Sequence, residues 1–121
     1  LERVAHFFQR RLAELEDAGV ARERTVLDPG MGFFLSNDPA PSLAVLKHLQ
    51  RLMALARPLL VSTSRKSFLG AITGRAVHER GAATLASELH AARSGAAYLR
   101  THDVRALADG LAVQRAIDGA E

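Results

Sequence analysis

At 121 residues, with 48% hydrophobic and 24% charged side chains, the chain is sized and composed for one globular unit, which excludes intrinsic disorder. Sixteen Lys and Arg against thirteen Asp and Glu leave a formal charge of +3, an affinity for anions that does not demand nucleic acid, and with five Phe, one Tyr and no Trp there is little to stack on bases. The absence of cysteine excludes disulfides and thiolate metal sites, no apolar run reaches the roughly 20 residues of a membrane span, and no secretory leader pattern is present, so a cytoplasmic protein with no membrane or nucleic-acid partner is expected.

The chain starts at Leu1 and not Met, inside what reads as a helix, and is expected to be part of a longer protein. Residues 1–18 carry Leu1, Val4, Phe8, Leu12 and Leu15 three or four apart, the stripe of an amphipathic helix, with Gly19 as its stop. Thr25-Val-Leu27 reads as a short apolar strand ended by Asp28-Pro-Gly30. Residues 31–41 read as a loop rich in Gly, Asn, Asp and Pro that holds Phe33 and Phe34. A second amphipathic helix is expected over residues 42–55, with Ser42 as N-cap and Leu43, Leu46, Leu49, Leu52 and Met53 as its apolar residues. Pro58 opens a buried strand, Leu59-Leu-Val61. Phe68, Leu69 and Ile72 suggest a short helical turn, residues 74–81 a polar mobile loop, and residues 82–94 an alanine-rich helix stopped at Gly95. Ala97-Tyr-Leu99 is the third strand, and Val104, Leu107, Leu111 and Ile117 mark a last helix ending near Gly119.

A leading helix followed by three βα units is an α/β pattern, a parallel sheet with covering helices and every strand C-terminus at one face. An eight-stranded βα barrel takes roughly 250 residues. The chain is therefore expected to form a half-barrel.

Ligands of such folds bind at strand C-termini, and the three strand ends here carry polar and charged groups. Asp28 suits a turn ahead of Pro29 and Gly30, and equally an acceptor for the paired N–H groups of an aminopyrimidine or guanidinium. Ser62-Thr-Ser-Arg-Lys-Ser67 reads either as a solvated basic turn or as a site in which Ser64, Ser67, the cations and backbone N–H groups receive anionic or carbonyl oxygens. Arg100 and His102, one residue apart in extended chain, fall on one face as a two-pronged anion site. The remaining histidines, His6, His48, His78 and His90, are scattered without metal-ligand spacing, and no phosphate loop, nucleophile elbow or dinucleotide glycine fingerprint is present.

In this order and spacing, Asp28-Pro-Gly-Met-Gly-Phe33, Ser64-Arg-Lys-Ser67 and Arg100-Thr-His102 resemble the C-terminal half of dihydropteroate synthase, over nearly the whole chain. The resemblance implies a (β/α)8 TIM barrel, with residues 1–121 forming the C-terminal half-barrel of its pterin-binding domain. Such enzymes condense 6-hydroxymethyl-7,8-dihydropterin diphosphate with p-aminobenzoate in folate biosynthesis, giving dihydropteroate and pyrophosphate. It implies that Asp28 and Lys66 bind the pterin, and that Gly32, Phe33, Arg65 and Ser67 line the p-aminobenzoate site. Arg100 and His102 are implied to hold the diphosphate, with Lys66, Arg100 and His102 as the catalytic set.

Mg2+ is implied through the diphosphate and the absent N-terminal half, with no metal ligand in this segment. Also implied are an SN1-like loss of pyrophosphate without a protein nucleophile, sulfonamides as competing ligands, and a homodimer joined through helix 82–94 and the last helix. The segment alone is expected to be inactive. Phe34-Leu35 stand where many members have a small residue and a lysine, and Met31-Gly-Phe-Phe34 resembles a subset that includes the mobile sulfonamide-resistance synthases. Two alternatives stand beside this reading. One is the pterin-binding domain of a methyltetrahydrofolate corrinoid methyltransferase, against which the second and third motifs argue because those barrels release no diphosphate. The other is a non-catalytic truncated module that dimerises or binds nucleic acid.

Overall fold

The computed structural model describes residues 1–32 and 35–120. Phe33, with its implied p-aminobenzoate contact, and Phe34 lie outside the described residues. Three extended segments run parallel and side by side. β1 (Leu60–Val61) pairs with β2 (Tyr98–Leu99), Leu60 opposite Tyr98 and Val61 opposite Leu99. On the other side of β1, the segment expected as the first strand contributes one parallel bridge, Leu27 to Leu59. It is made by the Leu27 N–H to the Pro58 carbonyl at 2.9 Å and the Leu60 N–H to the Leu27 carbonyl at 2.8 Å. That segment is a bridge and not a ladder because the chain around it is held by other groups. The Thr25 hydroxyl donates back to the Arg22 carbonyl at 2.6 Å, closing a 3₁₀ turn over Arg22–Arg24. The Arg57 Nη2 then donates to the carbonyls of Glu23 at 2.7 Å and Thr25 at 3.0 Å.

Among the described residues five α-helices cover these segments: α1 (Glu2–Asp17), α2 (Pro39–Lys47), α3 (Ser67–Thr73), α4 (Gly81–Arg93) and α5 (Val104–Asp118). The predicted stripe of α1 is the face it buries, with Phe8 and Leu12 in the core and Leu1 and Val4 packed against it.

The second helix differs from expectation in two ways. Its N-cap is Asp38, whose Oδ1 accepts the Ala40 N–H at 2.9 Å, with Pro39 in the first turn, where a missing N–H costs nothing. Ser42 is instead wholly buried inside α2, and its Oγ accepts the Gly32 N–H at 2.9 Å. The α-helix also stops at Lys47, and Leu49–Leu55 continues as a 3₁₀ helix. At three residues per turn, Leu49, Leu52 and Leu55 stack on one side, and all three are buried. Met53, off that row, is exposed, as is Leu43.

The predicted mobile loop at 74–81 is instead an ordered turn. Val77–Glu79 forms a 3₁₀ turn in which the Glu79 Oε2 accepts the Ala76 N–H at 3.1 Å, and Arg80 is pinned by three backbone carbonyls.

One core joins these pieces: Phe8, Leu12, Leu27, Leu49, Leu52, Leu59, Val61, Phe68 and Ala91 belong to a single buried cluster. Each large side chain in it contributes about 1.5–3 kcal/mol by leaving water. α4 and α5 lie close together because Gly110 leaves room for Leu85; a Cβ there would sit 2.9 Å from its Cδ1. Among the described residues no helix is long and apolar enough to cross a membrane.

Candidate functional site

β1 and β2 each stop after two paired residues, yet their side chains stay in register beyond the ladder. Val61 faces Leu99, and the Arg100 N–H still donates to the Val61 carbonyl at 3.0 Å. At the same offset of 38 residues, the Arg100 Nε donates to the Ser62 Oγ at 3.3 Å and the His102 Nδ1 lies 2.8 Å from the Ser64 Oγ. Alternation in extended chain explains the pattern, since residues two apart share a face. Ser62 and Ser64 therefore meet Arg100 and His102 on one side. Thr63 and Thr101 turn the other way, to α4: the Ser87 hydroxyl donates to the Thr63 Oγ1 at 2.8 Å, and Thr101 hydrogen-bonds the Glu88 carboxyl.

The Ser64 Oγ also accepts the His102 backbone N–H at 3.2 Å. A serine oxygen has two lone pairs and one proton, so it can meet Nδ1 either as donor or as acceptor; in both arrangements Nδ1 is held by Ser64 and Nε2 is the ring nitrogen left to face a ligand. Ser62 and Ser64 are buried while Arg100 and His102 are exposed, so fixed hydroxyls hold a guanidinium and an imidazole that face outward.

Arg65 and Lys66 complete the same cavity, of about 620 Å³, which Ser62, Ser64, Arg100, Thr101 and His102 also line. Arg65 adopts a left-handed backbone with φ of 59°, which for a residue with a Cβ costs about 1–2 kcal/mol. Its N–H donates to the Thr84 Oγ1 at 3.0 Å. Ser67 opens α3. Gly32, at φ of +62°, brings the first segment's loop against this turn, since a Cβ there would lie 3.1 Å from the Ser67 Oγ and 3.4 Å from the Lys66 Cβ.

Of the residues singled out from the sequence, the structure thus gathers Gly32, Arg65, Lys66, Ser67, Arg100 and His102 around one strand-end region. Asp28 stands apart. It is exposed, its Oδ1 accepts the Gly30 N–H at 2.9 Å, and it lines a different cavity of about 450 Å³ with Arg3, Phe8, Pro29 and Leu35. The turn-forming role weighed for it is present in the structure.

Sequence reasoning passed over Arg80, Thr84, Ser87 and Glu88, and gave Ser42 only the role of a cap. Glu88 is 2% exposed with Oε1 unpartnered among the described residues. Burial pushes its carboxyl above the ordinary range; the Thr101 hydrogen bond opposes this, and the nearby Asp103 charge adds to it. One signal was available: hydroxyls three apart in an alanine-rich helix, with a carboxylate beside the second.

A family model described as a pterin binding enzyme matches residues 1–102. The chain belongs to that family. The chain is 56% identical over 103 residues to a type-1 dihydropteroate synthase of Escherichia coli, covering 84% of the chain and 37% of the relative. It is 52% identical over 118 residues to the type-2 synthase of Escherichia coli, covering 97% of the chain and 44% of the relative. The dihydropteroate synthase of Xanthomonas albilineans in complex with 7,8-dihydropteroate superposes with a TM-score of 0.94 at 38% identity, over 100% of this chain and 46% of that one. The chain is therefore a partial βα barrel that spans 37–46% of the length of these relatives.

Proposed function

We propose that the protein carrying this chain is a dihydropteroate synthase, condensing 6-hydroxymethyl-7,8-dihydropterin diphosphate with p-aminobenzoate, and that residues 1–121 are the C-terminal half of its pterin-binding barrel. The observation that carries this reading is the serine-anchored guanidinium and imidazole, Arg100 on Ser62 and His102 on Ser64, opening on the cavity that Arg65 and Lys66 line. Such a site suits a reaction in which an oxyanion leaves. As the bond from the pterin methylene to the diphosphate oxygen breaks, its electron pair goes to the leaving group. Cations already in place favour that charge more in the transition state than before it. The aromatic amine then attacks the cationic methylene and gives up a proton, so no protein nucleophile is needed.

Within this reading Arg100 and His102 receive the diphosphate, Lys66 and Asp28 bind the pterin, and Gly32, Phe33, Arg65 and Ser67 border the p-aminobenzoate site, where sulfonamides compete. The contact of Gly32 with Lys66 and Ser67 supports placing the two organic substrates side by side. Mg2+, when bound, neutralises charge on the diphosphate. The donors at this cavity are guanidinium, imidazole, ammonium and hydroxyl, and among the described residues no cluster of three or more His, Cys, Asp or Glu is placed to hold a metal. They fit an anion and not a hard cation, which prefers carboxylate and carbonyl oxygen, so in this reading the metal is held through the diphosphate and the N-terminal half of the barrel. The outward Val104, Val113 and Ile117 of α5 support a homodimer through α4 and α5, in a cytoplasmic enzyme.

Calorimetry on the full-length protein tests the reading. Pterin diphosphate is expected to bind, with affinity at least tenfold weaker in Arg100→Ala; binding of methyltetrahydrofolate with no response to pterin diphosphate would replace it with the methyltransferase reading.

A further inference from the structure

The residues of α4 that touch the catalytic turn form a stripe. Arg80 is its N-cap, and Thr84 and Ser87 follow four and seven positions later, the spacing of one helical face. Each member meets the turn after β1. The Ser87 hydroxyl donates to the Thr63 Oγ1, and the Thr84 Oγ1 accepts the Arg65 N–H. The Arg80 Nη1 donates to the Arg65 carbonyl at 2.9 Å and the Lys66 carbonyl at 3.3 Å, while its Nε donates to the Arg75 carbonyl at 3.0 Å. A planar fork with donors at fixed angles suits that task, and a lysine does not match it. Gly70 of α3 is its seat, because a Cβ at position 70 would lie 2.5 Å from the Arg80 Cζ and 2.7 Å from its Nε.

Arg65 is left-handed, and such a residue keeps that backbone only where its surroundings over-determine it. Here α4 holds both sides of the residue, its N–H through Thr84 and its carbonyl through Arg80. Release of the clamp lets φ return to negative values, which re-aims Arg65 and Lys66 relative to Ser67.

We propose that Arg80 is a positioning residue: its guanidinium, seated on Gly70, fixes the left-handed turn at Arg65 and so aims Lys66 and Ser67 at the organic substrates. The substrate readout of its test rests on the synthase reading; the backbone readout does not.

The test compares full-length wild type with Arg80→Ala, Arg80→Lys and Gly70→Ala. Gly70→Ala keeps the arginine and removes its seat, so the clamp can be broken even where Arg80→Ala fails to fold. Hydrogen exchange followed by mass spectrometry, without ligand, is expected to rise at least tenfold at residues 65–67 in Arg80→Ala and Gly70→Ala, with α1 and α5 unchanged. In turnover, the KM for p-aminobenzoate is expected to rise at least tenfold in both, with Arg80→Lys between them and wild type. Pyrophosphate affinity, which depends on Arg100 and His102, is expected to stay within twofold. Unchanged exchange at 65–67 overturns the proposal, as does a uniform loss of all binding or a fall in stability with the KM for p-aminobenzoate unmoved. If wild type neither binds nor turns over these substrates, the synthase reading fails, and the exchange comparison alone decides the role of Arg80.

Discussion

Ser64→Ala removes the hydroxyl that ties the end of β1 to the end of β2. Two hydrogen bonds go with it, the one to His102 Nδ1 at 2.8 Å and the one from the His102 N–H at 3.2 Å. Each is worth about 0.5–1.5 kcal/mol net, and because His102 is exposed, water replaces the lost partner and no buried group is stranded. The total cost is then about 1–3 kcal/mol, with no further penalty for an orphaned buried donor. Urea unfolding of the full-length protein, with an unchanged slope, should show it as a lower midpoint. A double-mutant cycle with His102→Ala isolates the pair, and a coupling of about 1 kcal/mol is expected. A freed imidazole no longer presents Nε2 in a fixed direction, so pyrophosphate affinity should fall by three- to tenfold, at most about 1.4 kcal/mol. If the two substitutions are additive within about 0.3 kcal/mol and pyrophosphate affinity is unaffected, Ser64 does not anchor His102 and the argument fails.

Gly32→Ala puts a Cβ 3.1 Å from the Ser67 Oγ at a φ of +62°, so a stability loss of about 1 kcal/mol and a severalfold higher KM for p-aminobenzoate are expected; a variant indistinguishable from wild type would mean that this contact yields freely. Glu88 makes stability depend on pH. Because burial raises its folded pKa, the native state binds more protons than the unfolded chain between the ordinary value of 4.5 and the folded one, and stability falls as pH rises through that window before levelling off. Glu88→Gln removes the titration, so its stability relative to wild type should grow as pH rises from 4.5; parallel curves in urea midpoints against pH would refute the assignment.

Much of this arrangement is legible in the sequence because it follows from period. The stripe of α1 and the apolar runs at Leu59 and Tyr98 give the elements, and two-residue alternation places Arg100 and His102 on one face. The departures come from information that periodicity does not carry. Ser42 has the chemistry of an N-cap, but Asp38 before Pro39 is the stronger start, which frees Ser42 to receive the Gly32 N–H. The row of leucines at 46, 49, 52 and 55 has a period of three, which reads as an α-helix when Leu43 and Met53 are counted with it and as a 3₁₀ helix when they are not. Residues 74–81 look like a loop because Ala76 and Val77 set no apolar period between two glycines, whereas Arg80 is ordered by carbonyls, which no sequence pattern displays. Asp28 and Phe33 belong to a motif that points to substrate. The structure gives Asp28 a turn hydrogen bond and a separate cavity, and its role toward the pterin rests on the motif alone.

The measurement that bears most directly on the central claim is turnover of the full-length protein with 6-hydroxymethyl-7,8-dihydropterin diphosphate and p-aminobenzoate, following dihydropteroate and pyrophosphate together. The account predicts equal amounts of the two products, a loss of at least a hundredfold in kcat/KM, about 2.7 kcal/mol, on Arg100→Ala or Lys66→Ala, and no turnover by residues 1–121 alone. Absence of pyrophosphate release from the full-length protein, or undiminished turnover in both variants, would contradict it.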